Sequence, residues 1–142
     1  MSLLLALRIA GGSLVSLSIF HLVLWRVLGW GREVDRMSPL TARVFAVHTF
    51  FVAFVLFALG ALSLLAPRLL IERSELARLL LATIVVFWIA RLAFQPFVFD
   101  RVMQSGWTRS RPIRIGAMFL WAAYVAVYGA ALCRQCEGML AP

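Results

Sequence analysis

Four long apolar runs, at about 3–30, 40–66, 76–99 and 113–132, are joined by short polar segments and leave few residues over. A helix needs roughly 20 apolar residues to cross a bilayer, so each run suffices for one crossing. The pattern predicts an all-α membrane protein with four transmembrane helices. Short connections make consecutive helices antiparallel neighbours, which gives an up-down-up-down antiparallel bundle. The 142 residues are read as a single transmembrane domain with no room for a separate aqueous one. Composition agrees: 63% of residues are hydrophobic and 14% charged, with a mean hydropathy of +0.95. Soluble domains run about half apolar and about a quarter charged.

Local signals set the boundaries. The first run has no basic segment before its apolar core and no small-x-small site after it, so it is read as a retained span and not a cleaved signal peptide. Gly31 to Arg36 is a polar turn. Ser38-Pro39 then starts the second helix, with Ser as N-cap and Pro at the first helical position, where its missing N–H is not needed. Pro67 closes that helix, and Ser74 caps the third. Pro96 is expected to kink the last turn of the third run. Asp100 to Arg111 forms the third loop, and the fourth run follows Pro112.

All 14 cationic side chains are arginine, against 6 acids, for a formal charge of +8. In a polar chain this would point to nucleic acid. Here the arginines gather at span ends without alternating with exposed aromatics, so topology and lipid headgroups account for them and no nucleic-acid partner is expected. Arg26, Arg32, Arg36, Arg43, Arg101, Arg109, Arg111 and Arg114 lie on the face of the first and third loops, with Arg8, Arg68, Arg73, Arg78 and Arg134 on the other. Assigning the richer face to the cytoplasm puts both termini on the outer side, in a membrane of the bacterial inner (cytoplasmic) type. Trp30 and Trp107, at the crowded face, fit an aromatic belt.

The polar side chains that remain share a depth. His21, His48, Arg91 and Trp121, one from each run, lie roughly 10 to 14 Å inside the arginine-rich face at about 1.5 Å per residue. Ser18, His21 and Trp25 share a helix face, Arg91 and Gln95 are four residues apart, and Trp121, Tyr124 and Tyr128 form one stripe. A guanidinium at the position of Arg91 costs at least about 2.5 kcal/mol in hydrocarbon unless it is paired or hydrated. It is expected to face the bundle interior or to snorkel toward Asp100 or a lipid phosphate. The plain reading of this shelf is packing, with each imidazole bonded to a serine, a tyrosine or a backbone carbonyl. The sharper reading is a cofactor site made of His21, His48, Arg91, Gln95, Trp121 and Tyr124. Such a site suits haem b, with His21 and His48 as axial metal ligands, Arg91 on a propionate and the ring edges against Phe87, Trp88 and Trp121, provided the first two helices splay apart or lie diagonally. It also suits a quinone, with a histidine and Arg91 or Tyr124 on the two carbonyls.

Other chemistries lack their residues. No carboxylate lies deep in a run, which excludes di-metal carboxylate sites and carboxylate proton relays. The chain has no lysine for a retinal-type Schiff base, and neither a phosphate-cradling glycine loop nor a nucleophile elbow. Cys133 and Cys136 form a C-x-x-C after the fourth run, with no further ligands nearby for zinc. They are read as two separate thiols or as a disulfide fastening the tail. The disulfide reading predicts that the helix ends near Leu132, with the backbone relaxed from a helix so that the two sulfurs approach bridging geometry. The function expected is that of a non-catalytic accessory or structural subunit, packed in the lipid bilayer against other membrane subunits or copies of itself and able to hold lipid or cofactor. The alternative is a haem- or quinone-binding redox protein.

Overall fold

The computed structural model describes residues 2–27, 29–99 and 111–137, and every regular element among them is helical. In chain order these are α1 (Leu3–Val27), α2 (Gly31–Asp35), α3 (Pro39–Leu65), α4 (Pro67–Ile71), α5 (Glu75–Phe94) and α6 (Arg111–Glu137), with a π-helical turn, Gln95–Phe99, continuing α5. Four segments are long and apolar enough to cross a membrane: Leu3–Val27, Pro39–Leu65, Glu75–Phe97 and Arg111–Glu137, of 25, 27, 23 and 27 residues. The expected third loop, with Asp100, Trp107 and Arg109, lies outside the described residues up to position 110.

The caps explain where the helices start. Ser38 Oγ accepts the Thr41 N–H at 3.2 Å, and Ser74 Oγ accepts that of Ala77 at 3.1 Å. Each satisfies an N–H that the helix itself leaves without a partner. Pro67 does more than end a helix, since α3 stops at Leu65 and Pro67 is the first residue of α4.

Two ends, those of the first and fourth spans, differ from the sequence expectation. The first span stops at Val27 and not near position 30. Gly29 takes φ +69°, and the Gly29 and Trp30 N–H groups bond back to the Arg26 and Trp25 carbonyls at 3.2 and 3.0 Å. That is a Schellman closure, which needs a residue free to adopt the left-handed region. In the third span, Pro96 produces a widened π turn, because proline offers no N–H to the carbonyl four residues back. The fourth helix runs beyond Leu132 to Glu137, carrying Cys133 and Cys136 as exposed free thiols in helical positions. Its last turn is fastened by Gln135, whose Nε2 donates to the Leu70 and Glu72 carbonyls at 3.0 and 2.6 Å.

The chain divides into two compact units, Arg8–Leu65 and the combination of Met1–Leu7 with Ala66–Pro142. In the first, α1 and α3 meet through small residues. A Cβ on Gly11 would fall 2.5 Å from the Leu64 nitrogen and 2.7 Å from the Gly60 oxygen, and one on Gly60 would fall 2.9 Å from the Gly11 oxygen. Ser18 Oγ donates to the Ala53 carbonyl at 2.7 Å. Gly11 meets residues 60–64 while Ser18 meets Ala53, so the two helices run in opposite directions. Small residues and an interhelical hydrogen bond are what helix association in lipid relies on.

In the second unit the buried residues of α5 are Ala77, Leu81, Ile84 and Trp88, and those of α6 are Trp121, Tyr124, Tyr128, Ala131 and Gln135. Both rows alternate steps of three and four, the spacing of a helix–helix seam. In the other unit, the close approach of α1 and α3 predicts which glycines tolerate a side chain. Gly11→Ala and Gly60→Ala should each lower stability by about 1–3 kcal/mol, because backbone must shift to admit the methyl. Gly12→Ala meets nothing within 4 Å and should cost nothing. Denaturant unfolding in mixed micelles measures all three, and equal stability of the Gly11 and Gly12 variants would contradict the packing described.

Candidate functional site

The π turn places Gln95 where α5 would otherwise have ended its regular ladder, and its side chain turns into the seam with 7% of its surface exposed. Gln95 Oε1 accepts two hydrogen bonds, from Arg91 Nη1 at 2.8 Å and from Trp121 Nε1 at 3.3 Å. One carbonyl oxygen thus joins a charge on α5 to an indole on α6. The Arg91 guanidinium carbon lies 4.8 Å from the centroid of the Trp121 ring, a cation–π contact that draws the charge further toward α6. In an apolar surrounding both contacts strengthen, since little water competes for the guanidinium.

Aromatic packing completes the cluster. Trp88 stacks on Trp121 with centroids 5.2 Å apart and planes at 15°, and it meets Tyr124 at 4.4 Å. Trp88 is 1% exposed, and its Nε1–H has no hydrogen-bond partner among the described residues. A buried indole N–H left unpaired costs free energy, which the stacking area offsets.

Of the six residues read as a possible site, Arg91, Gln95, Trp121 and Tyr124 come together in the unit holding α5 and α6. His21 and His48 belong to the unit holding α1 and α3. His21 is half-buried, and its Nδ1 lies 3.2 Å from the Leu17 carbonyl. A carbonyl only accepts, so this contact is a hydrogen bond in the tautomer that carries the proton on Nδ1. His48 is exposed on α3. Among the described residues no three of the His, Cys, Asp and Glu side chains gather as a metal-ligand group.

One contributor, Gln135, escaped the sequence reading of the site, and another, Trp88, was read there only as a ring against a haem edge. Trp88 is the centre of the aromatic stack, and its position seven residues before Gln95 in the seam row was the available signal. Gln135 extends the Trp121, Tyr124, Tyr128, Ala131 row by one step, and a glutamine at a seam position marks a buried polar joint. No family model matches the chain, and no curated protein or solved structure is significantly similar to it.

The shared acceptor predicts coupling between the two helices. Gln95→Leu and Trp121→Phe should be non-additive, with an interaction energy of about 0.6–1.7 kcal/mol, the range of interhelical hydrogen bonds in membranes. A double-mutant cycle on unfolding in mixed micelles checks it; additive losses would mean that the 3.3 Å contact contributes nothing.

Proposed function

We propose that the chain is an integral membrane protein of four spans, arranged as one up-down-up-down bundle over residues 1–142, and that it serves as a non-catalytic accessory subunit. The observation that carries this reading is the engagement of Arg91. The charge that would most readily bind substrate or cofactor is held by Gln95 and Trp121 of its own helix pair. Such a cluster orients and fastens two helices, which is the work of a structural element.

The outward faces support the same reading. Along α3, Phe50, Phe51, Phe54 and Phe57 are all exposed. Large aromatics in that number suit contact with lipid and with the helices of a larger membrane assembly or a second copy, where flat rings cover area at small entropic cost. The excess of arginine on the face of the first and third loops supports both termini on the outer side of a bacterial inner membrane.

Purification in mild detergent tests the proposal. The expected outcome is a colourless preparation that co-purifies in fixed ratio with larger membrane polypeptides, identified by mass spectrometry. Arg91→Gln should lower the melting temperature without dissolving that association. A Soret band that disappears in His21→Ala and His48→Ala, or one quinone per chain lost in the same variants, would overturn the accessory reading in favour of a redox protein.

A further inference from the structure

On α3, Arg43, Val47 and Phe51 stand four residues apart and form one ridge of the helix surface, and Val44 and His48 form the next. Between them runs an open groove of about 400 Å³ lined by these five residues. At 100° per residue the groove lies on the side of α3 roughly opposite the buried row Ala53, Leu56, Gly60 and Ser63. Its two polar side chains, Arg43 and His48, are both exposed, and neither has a hydrogen-bond or ionic partner among the described residues. Counted from Pro39, Arg43 lies about 6 Å and His48 about 13 Å along the helix.

We infer that this groove is a binding site for one anionic phospholipid. The inference rests on reading α3 as a membrane span. At the depth of Arg43 the anion a bilayer supplies is a lipid phosphate, and a guanidinium presents paired donors to its oxygens. Farther in, an imidazole N–H of His48 meets the glycerol ester carbonyls, acceptors that lie between the phosphate and the acyl chains. Val44, Val47 and Phe51 supply apolar walls for the upper part of a chain. The order of chemistry along the groove, cation then neutral donor then hydrocarbon, matches the order of groups along a phospholipid. The charge around this end of the unit favours a lipid of net negative charge, because Arg26, Arg32, Arg36 and Arg43 outnumber Glu33 and Asp35.

Native mass spectrometry of the full chain released from detergent, titrated with phosphatidylglycerol or phosphatidylcholine, tests this site. Phosphatidylglycerol should bind the unaltered protein about five-fold more tightly than phosphatidylcholine, the factor for one interfacial charge. Arg43→Gln should abolish that preference, and His48→Ala should weaken both lipids by a few-fold, since both carry ester carbonyls. Arg68→Gln, a substitution on the opposite membrane face, should change neither, and millimolar inorganic phosphate should not displace the lipid. Both groove positions are exposed, so unchanged circular dichroism and melting temperature are expected and confirm that the variants fold. Equal binding of the two lipids, or an Arg43→Gln protein that keeps the preference, would overturn the inference. So would loss of oligomer or partner in place of lipid, which would make the face a protein interface. Failure of the membrane reading itself is distinguishable, because alkaline carbonate would then extract the chain from membranes.

Discussion

The oxygen of Gln95 accepts from a guanidinium of its own helix and from an indole of the next, and much of the α5–α6 pair depends on that double acceptance. Within hydrocarbon a polar group has only protein to bond with, so an arginine deep in an apolar run constrains everything near it. Gln95 can serve both donors because Pro96 breaks the regular ladder into a π turn there. Trp121 is held in place to receive the charge over its face by stacking on Trp88. A proline, an amide, a cation and two indoles therefore act as one joint. Gln135 repeats the device at the other end of the same seam, using its amide N–H groups to tie α6 to backbone carbonyls before α5.

The unit of α1 and α3 is built on a different solution. Its helices approach through Gly11 and Gly60, where backbone meets backbone too closely for any Cβ, and a single serine bonds across. Close approach replaces bulky interlocking as the source of attraction, as expected where lipid is as apolar as the side chains. The aromatic weight of α3 is thereby displaced to its outward faces, where Phe50, Phe51, Phe54 and Phe57 stand exposed. A helix that turns four phenylalanines outward is suited to making contacts, which with the engagement of Arg91 is the basis of the accessory role proposed.

Much of this was legible in the sequence because apolar run length and helix caps are local properties. Ser38 and Ser74 mark helix starts through bonds within one turn, and the structure uses both so, while Pro67, read as closing a helix, also opens the next short one. The ends that were misread depend on other information. Gly29 closes α1 by a positive φ that nothing in hydropathy reveals, and α6 persists past Leu132 because Gln135 finds acceptors 65 and 63 residues earlier. For the site, counting along the helices correctly set Arg91 beside Gln95 and the stripe of Trp121 and Tyr124. Depth, however, says nothing of direction around a helix axis. His48, counted to the same depth, is exposed on α3, while Trp88, read only as a ring against a haem edge, is the centre of the α5–α6 stack.

The central claim is that Gln95 joins Arg91 to Trp121 and so satisfies the half-buried charge within the helix pair. Indole proton–nitrogen correlation spectra of the protein in micelles, with tryptophan labelled, test it most directly. Replacing Gln95 by Leu should move the Trp121 indole proton upfield by more than any other of the five tryptophans, as expected when a hydrogen bond is lost. A Trp121 resonance that stays where it was would contradict the account.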